Sequence, residues 1–236
     1  MPGYIIHLTE AKLIVDILEG KGFLMDDAWK NEFYLGALLP DTKKKQEKIS
    51  SHFWNEEDLG NVAIAPDMDK FMAHYAGQLN TPLMLGYWAH LHLDRLYVKK
   101  FWPDIFVFQN EAGEEKKTWH DVKYVHVLKR NTLIPVKDFF SGAFYYGDYS
   151  KSNHYLMDKY APVIPYFDEA MTSQMLCPVK EVYPANLSLV LQELEEILRQ
   201  PYETHFQTKV FDMEDLERFM QETASIMAEL IFPFFS

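Results

Sequence analysis

Apolar residues recur along most of this chain at spacings of three and four residues, the period of a helix with one buried face. Gly22, Pro40 and Pro82 lie at the ends or starts of these stripes, as helix boundary signals do. With no linker or internal repeat, the pattern predicts one all-α domain over residues 1–236, a bundle of about eight to ten helices around a buried polar site. The predicted helices cover residues 5–18, 26–38, 67–79, 82–101, 118–131, 166–175, 185–198 and 213–231.

Three segments interrupt this helical pattern. Residues 43–48 are charged and predict a solvated loop or a surface helix, while residues 147–153 predict a turn-rich link. Residues 104–117 contain Ile-Phe-Val-Phe followed by polar residues and a glycine. This third segment is compatible with a short strand and turn or with an irregular excursion, and the pattern does not decide between them.

The most informative polar pair lies within the apolar run of residues 82–101. His90 and Asp94 stand one helical turn apart on one face, and Gly86, one turn earlier, leaves that face open to a close neighbour. His92 points away from this face. A His and an Asp in this arrangement either bind a metal ion or satisfy each other inside a core, and the pair alone leaves both interpretations open.

Composition narrows the classes of protein that remain. Apolar residues make up 48% and charged residues 25%, which is ordinary for a globular domain. The net charge of -12 argues against binding to duplex nucleic acid or to anionic membranes, since both need clustered Lys and Arg. The single Cys177 excludes a cysteine-rich zinc module, so a metal site would use His, Asp and Glu. Without a recognisable signal peptide or membrane span, we expect a cytoplasmic protein with no stable membrane insertion.

Several histidines lie on or beside apolar helices together with aspartates. Histidine nitrogens and carboxylate oxygens are ligands of zinc and similar divalent ions, and an open coordination position admits water. A site that holds one to three such ions would activate water against a phosphoester. The candidate residues are His7, Asp41, His52, His90, Asp94, His120, His154 and Asp158.

Four motifs follow one another in residues 1–101 in an order that is rarely found by chance. An N-terminal histidine is followed by Gly36-Ala-Leu-Leu-Pro-Asp41, then by Ser51-His52-Phe, then by Gly86-x-x-x-His90-x-x-x-Asp94. This order, confined mainly to residues 1–101, resembles the zinc-dependent phospholipase C family, which is related to the single-strand-specific zinc nucleases. The resemblance implies an all-α fold, a zinc cluster and hydrolysis of a small phosphoester or phospholipid substrate.

The same resemblance implies a role for each matching residue. Asp41, His52, His90 and Asp94 would be ligands of the central metals, with Asp94 bridging two of them and Asp41 also the catalytic base. His7 would be a ligand near the N-terminus. Two later assignments complete the set: His154 and Asp158 resemble the family's His-x-x-x-Glu pair with Asp in place of Glu, and His120 is the candidate for the remaining histidine.

Two other functions are compatible with the sequence. The adjacent His120 and Asp121 suggest an HD-type phosphohydrolase, in which they would surround one ion with His90 and Asp158. A non-catalytic helical binding protein on the same fold would retain metal weakly and close its pocket with aromatic residues such as Trp54, Trp88 or Phe140. The sequence indicates neither the physiological substrate nor the metal nor the oligomeric state.

Overall fold

The computed structural model describes residues 2–168, 170–171, 175, 177–201 and 206–235. Helices dominate this part of the chain, which confirms the mostly helical fold predicted from the sequence. Among these residues, no helix is long and apolar enough to cross a membrane. The helices are α1 (Tyr4–Gly20), α2 (Asp27–Leu38), α3 (Lys48–Ser51), α4 (Met68–Tyr75), α5 (Pro82–Leu96), α6 (Trp102–Ile105), α7 (Val136–Phe139), α8 (Tyr145–Tyr160), α9 (Leu187–Leu198) and α10 (Met213–Ile231).

Helices α2 and α5 pack with their backbones in contact, and two glycines make this possible. A Cβ atom added to Gly36 would lie 2.1 Å from the carbonyl oxygen of Leu83, and one added to Gly86 would lie 2.1 Å from that of Phe33. Any side chain at either position would force the helices apart. The glycine contact therefore sets how closely α2, and the turn that follows it, approaches the polar face of α5.

Helix α1 lies against α2, α8 and α10 and is enclosed by them. Its apolar stripe belongs to one hydrophobic cluster that runs from Ile5 to Ile231 and joins all of these helices. Two of its polar residues, His7 and Glu10, are buried with that stripe, each about 1% exposed. A polar face of α1 therefore meets the polar face of α5 inside the core.

The prediction of a helix over residues 118–131 is wrong. A three-stranded antiparallel sheet in the order β1-β2-β3 occupies this region, with β1 (Phe106–Gln109), β2 (Tyr124–Val127) and β3 (Thr132–Pro135). Val125 and Val127 are buried while their neighbours are not, which is the two-residue period of a strand. Asn131 adopts a left-handed φ of 47° at the turn into β3. Of the two alternatives for residues 104–117, the structure therefore shows the strand and turn and not the irregular excursion.

The structure also differs from the predictions for residues 147–153 and for the end of the helix that begins at Pro82. Residues 147–153 are helical rather than a turn-rich link, because they form the first half of α8, where Asp148 accepts backbone N–H bonds from Lys209 and Val210. Helix α5 continues through a π-helical turn (Tyr97–Phe101) into α6, so helical structure extends past the predicted end at residue 101. The helix predicted over residues 166–175 falls partly outside the described residues.

Candidate metal centre

The centre is built on the face of α5 that carries His90 and Asp94. Both side chains are buried, and His90 Nε2 lies 3.6 Å from Asp94 Oδ2. The Nδ1 of His90 bonds to the carbonyl oxygen of Ala37 at 2.8 Å, across the close contact between α2 and α5. Because a carbonyl only accepts, Nδ1 carries the proton and the Nε2 of the neutral ring is free to act as a ligand.

Helix α1 places His7 directly against this pair. The rings of His7 and His90 stack with centroids 3.7 Å apart and planes 5° from parallel. On the other side, His7 Nε2 lies 3.4 Å from Asp94 Oδ1 without forming a hydrogen bond. His7, His90 and Asp94 thus offer three ligand atoms that lie within 4.8 Å of one another.

Asp41 and His52 reach the same point from the segment after α2. Asp41 lies on the 3-10 turn Leu39–Thr42, which continues α2, and His52 follows directly after α3. His52 Nδ1 lies 3.0 Å from the hydroxyl of Ser51, and its Nε2 faces inward. Asp41, His52 and His90 form a second group of ligand atoms within 4.8 Å of one another.

The spacing of the inward-facing atoms matches that expected around a metal ion. His52 Nε2 lies 3.4 Å from His90 Nε2, 3.5 Å from Asp94 Oδ2 and 3.6 Å from Asp41 Oδ1. Ligands at about 2.1 Å from a tetrahedral zinc ion are about 3.4 Å apart. Each of these three distances from His52 Nε2 is close to that between two ligands of one ion.

Unpaired polar atoms support the same conclusion. Both carboxylate oxygens of Asp94 and both ring nitrogens of His7 are buried without a hydrogen-bond partner among the described residues. Leaving a buried carboxylate unpaired is costly, and a cation between these atoms would satisfy several at once. The residues present fit a divalent metal ion.

The electrostatics keep His7, His52 and Asp94 in the protonation states that a metal needs. Burial, followed by the neighbouring His90, lowers the pKa of His7 to about 4, and burial lowers the pKa of His52 to about 3. Burial alone would raise the pKa of Asp94, but the adjacent His7 and His90 outweigh it and hold that pKa well below the usual range. Both histidines are therefore neutral and Asp94 is ionised at neutral pH.

Lys48 is a residue of this centre that the sequence analysis missed. Its ammonium group contacts Asp41 Oδ1, and its side chain is 28% exposed while that of Asp41 is 5% exposed. Burial opposes this charge, but Asp41 outweighs burial and raises the pKa of Lys48. A signal was present, since the segment 43–48 concentrates four lysines in an acidic protein, but spacing did not show which one turned inward.

The structure does not bring the remaining candidates to the centre. The side chain of His120 is 96% exposed beside Asp121, in the connection between β1 and β2. His154 is buried on α8, but it lines a different cavity with Tyr146, Lys151 and Gln200. Neither His154 nor Asp158 belongs to the two ligand groups found among the described residues. His92, as predicted, lies outside both groups.

Comparisons with protein-family models, with curated proteins and with solved structures found no match.

The metal-free protein should lose stability as the pH falls from about 6.5 to about 4. His7 and His52 have a lower pKa in the folded chain than the unfolded value of about 6.5, so the unfolded state binds more protons over this interval. Each histidine should lower the free energy of unfolding by about 1 kcal/mol per pH unit. Against the effect of burial, the adjacent Asp94 raises the pKa of His90, which therefore contributes a nearly constant stabilisation below about pH 6.5. Burial raises the pKa of Glu10, so this residue adds stability as the pH falls and offsets part of the loss from the two histidines. Urea unfolding in chelator at several pH values measures the slope.

His52→Gln should reduce this slope, and the exposed His120→Gln is the matched control that should leave it unchanged. A free energy of unfolding that stays flat between pH 6.5 and 4 would contradict the burial of neutral His7 and His52.

Proposed function

We propose that the protein is a metal-dependent phosphoester hydrolase that uses zinc or a similar divalent ion. The observation that supports this most is the convergence of five buried residues from four chain segments, which form two groups of ligand atoms within 4.8 Å of one another and include the unpaired oxygens of Asp94. The five are His7, Asp41, His52, His90 and Asp94. The motif order that resembles zinc-dependent phospholipase C comes from the same five residues. A divalent ion held there lowers the pKa of a bound water and offsets the negative charge of a phosphoryl group.

In this proposal the residues of the centre bind the metal, orient its ligands or accept a proton. Asp41, His52 and His90 would hold one ion, and His7 with Asp94 would contribute ligands to a second. The backbone carbonyl of Ala37 orients His90, and the hydroxyl of Ser51 does the same for His52. Asp41, the ligand closest to solvent, is the carboxylate placed to accept a proton from an attacking water.

A second candidate function is a non-catalytic protein that a buried metal ion stabilises. The burial of the centre favours it, since His7, His52, His90 and Asp94 are each at most 1% exposed. The ring of Trp54 also lies over His52, with centroids 5.4 Å apart. An HD-type centre has no comparable support, because the exposed His120 and Asp121 lie apart from the buried His90.

Metal analysis and an activity screen test the proposal together. Purified protein equilibrated with zinc, manganese or iron and then desalted should retain at least about one ion per chain. The loaded protein should hydrolyse at least one substrate in a screen of phosphomonoesters, phosphodiesters and phospholipids. Retention without hydrolysis would favour the stabilising metal, and no retention would contradict both functions.

A further inference from the structure

We propose that the centre takes the terminal phosphate of a phosphomonoester and that Lys48 is the residue that recognises it. This inference rests on the proposed hydrolase function and names its substrate class. Three features of the described residues support it: the burial of the ligands, the contact of Lys48 with Asp41, and the net charge of the centre.

Burial shows where a substrate can approach. Asp41 is the most exposed of the five ligands at only 4%, and the partly exposed Lys48 covers its carboxylate. An approach from solvent therefore passes between Asp41 and Lys48. A terminal phosphate carries one organic substituent, which can remain on the solvent side of Asp41 and Lys48. The phosphorus of a diester carries two, and at least one of them would have to lie beside the buried ligands.

The position of Lys48 suits contact with the incoming group. Its ammonium has three N–H donors, and Asp41 is its one hydrogen-bond partner among the described residues. Neighbouring lysines on the same segment face elsewhere: Lys44 pairs with Glu193 at 2.8 Å, and Lys43 lies over the ring of Tyr183. Lys48 can therefore donate to a phosphate oxygen while it remains bonded to Asp41.

The charge of the centre favours a dianion. Asp41 and Asp94 contribute two negative charges, Lys48 contributes one positive charge, and His7, His52 and His90 contribute none when neutral. Binding of one divalent ion would leave a net charge of about +1, and without Lys48 that charge would be about zero. A phosphomonoester carries close to two negative charges at neutral pH, since its second pKa is about 6, whereas a diester carries one. Loss of Lys48 should therefore weaken binding of a monoester more than that of a diester.

The experiment compares two substrates with the same leaving group, 4-nitrophenyl phosphate and methyl 4-nitrophenyl phosphate, on the metal-loaded full chain. Wild-type protein should prefer the monoester in kcat/KM by at least about 10-fold. Lys48→Met should lower kcat/KM for the monoester by about 10- to 100-fold, the value of one charged hydrogen bond, and for the diester by less than about 3-fold. Lys48→Arg should restore part of the loss, because it keeps the positive charge.

A binding measurement complements the rates. Calorimetry with inorganic phosphate should show a Kd for the metal-loaded Lys48→Met protein that is about 10-fold or more above that of the wild type. Metal content should stay equal in both proteins. Lys44→Met, four residues earlier on the same segment and paired with Glu193, is the matched control that should change neither rates nor phosphate binding.

Three results would overturn the inference while the hydrolase function stands: a wild-type preference for the diester, an equal loss on both substrates in Lys48→Met, or unchanged phosphate binding in that variant. A loaded wild-type protein that cleaves no substrate in the wider screen would instead contradict the hydrolase function, and this inference with it.

Discussion

Replacing Asp94 by asparagine should lower the affinity for a divalent metal by more than about 100-fold, because even the loss of a residue that only orients a ligand costs about 10- to 100-fold. Asp94 has the largest expected effect since it touches both ligand groups. Its Oδ1 faces His7, and its Oδ2 faces both His52 and His90. Asparagine keeps the size of the side chain but removes the charge and turns an amide group toward ring nitrogens. Competition against a chelating dye measures the affinity.

Asp158→Asn is the matched control for this experiment. The same change of chemistry is made there at a residue that the resemblance assigns as a ligand and that lies outside both ligand groups. Metal affinity should stay within about 3-fold of the wild type, because substitutions of exposed residues usually have small effects. Loss of metal in Asp158→Asn together with retention in Asp94→Asn would contradict the centre described above.

Replacing Gly86 by alanine should destabilise the fold by about 3 kcal/mol or more. The added Cβ would lie 2.1 Å from the carbonyl oxygen of Phe33, 2.9 Å from the backbone nitrogen of Ala37 and 3.0 Å from the Cα of Gly36. All three neighbours are backbone atoms, so no side chain can rotate away and α2 must move as a unit. Urea unfolding of the metal-free protein measures the loss.

Gly20→Ala provides the comparison, because a Cβ at Gly20, the last residue of α1, meets nothing within 4 Å. It should leave stability unchanged or raise it by up to about 1 kcal/mol, since alanine favours the helix. Equal stability of Gly86→Ala and wild type would show that α2 and α5 do not need their close contact.

The sequence predicted much of this centre because its key residues lie on strongly periodic helices. His90 and Asp94 share a face of α5 through a spacing of four, and Gly86 marked that face for a close neighbour, which proved to be Gly36 of α2. Whether the pair was a core contact or a ligand pair depended on what faced it. That information is tertiary, and only the motif order hinted at His7.

What could not be predicted also has physical causes. Residues 118–131 carry apolar residues at both helical and alternating spacings, and the turn at Asn131 decides in favour of strands. His120 then falls on an exposed connection, away from the centre. Lys48 was indistinguishable from its lysine neighbours, because the direction of a side chain on a short helix is set by packing and not by composition.

The burial of the five ligands has a kinetic consequence. The five ligand residues are at most 4% exposed, so a bound ion would exchange only slowly with solvent, past Asp41 and Lys48. Transient opening of α1 from α5 would speed this exchange, so the lifetime of the bound ion would depend in part on a local unfolding equilibrium. Loading of the folded, metal-free protein should accordingly be slow.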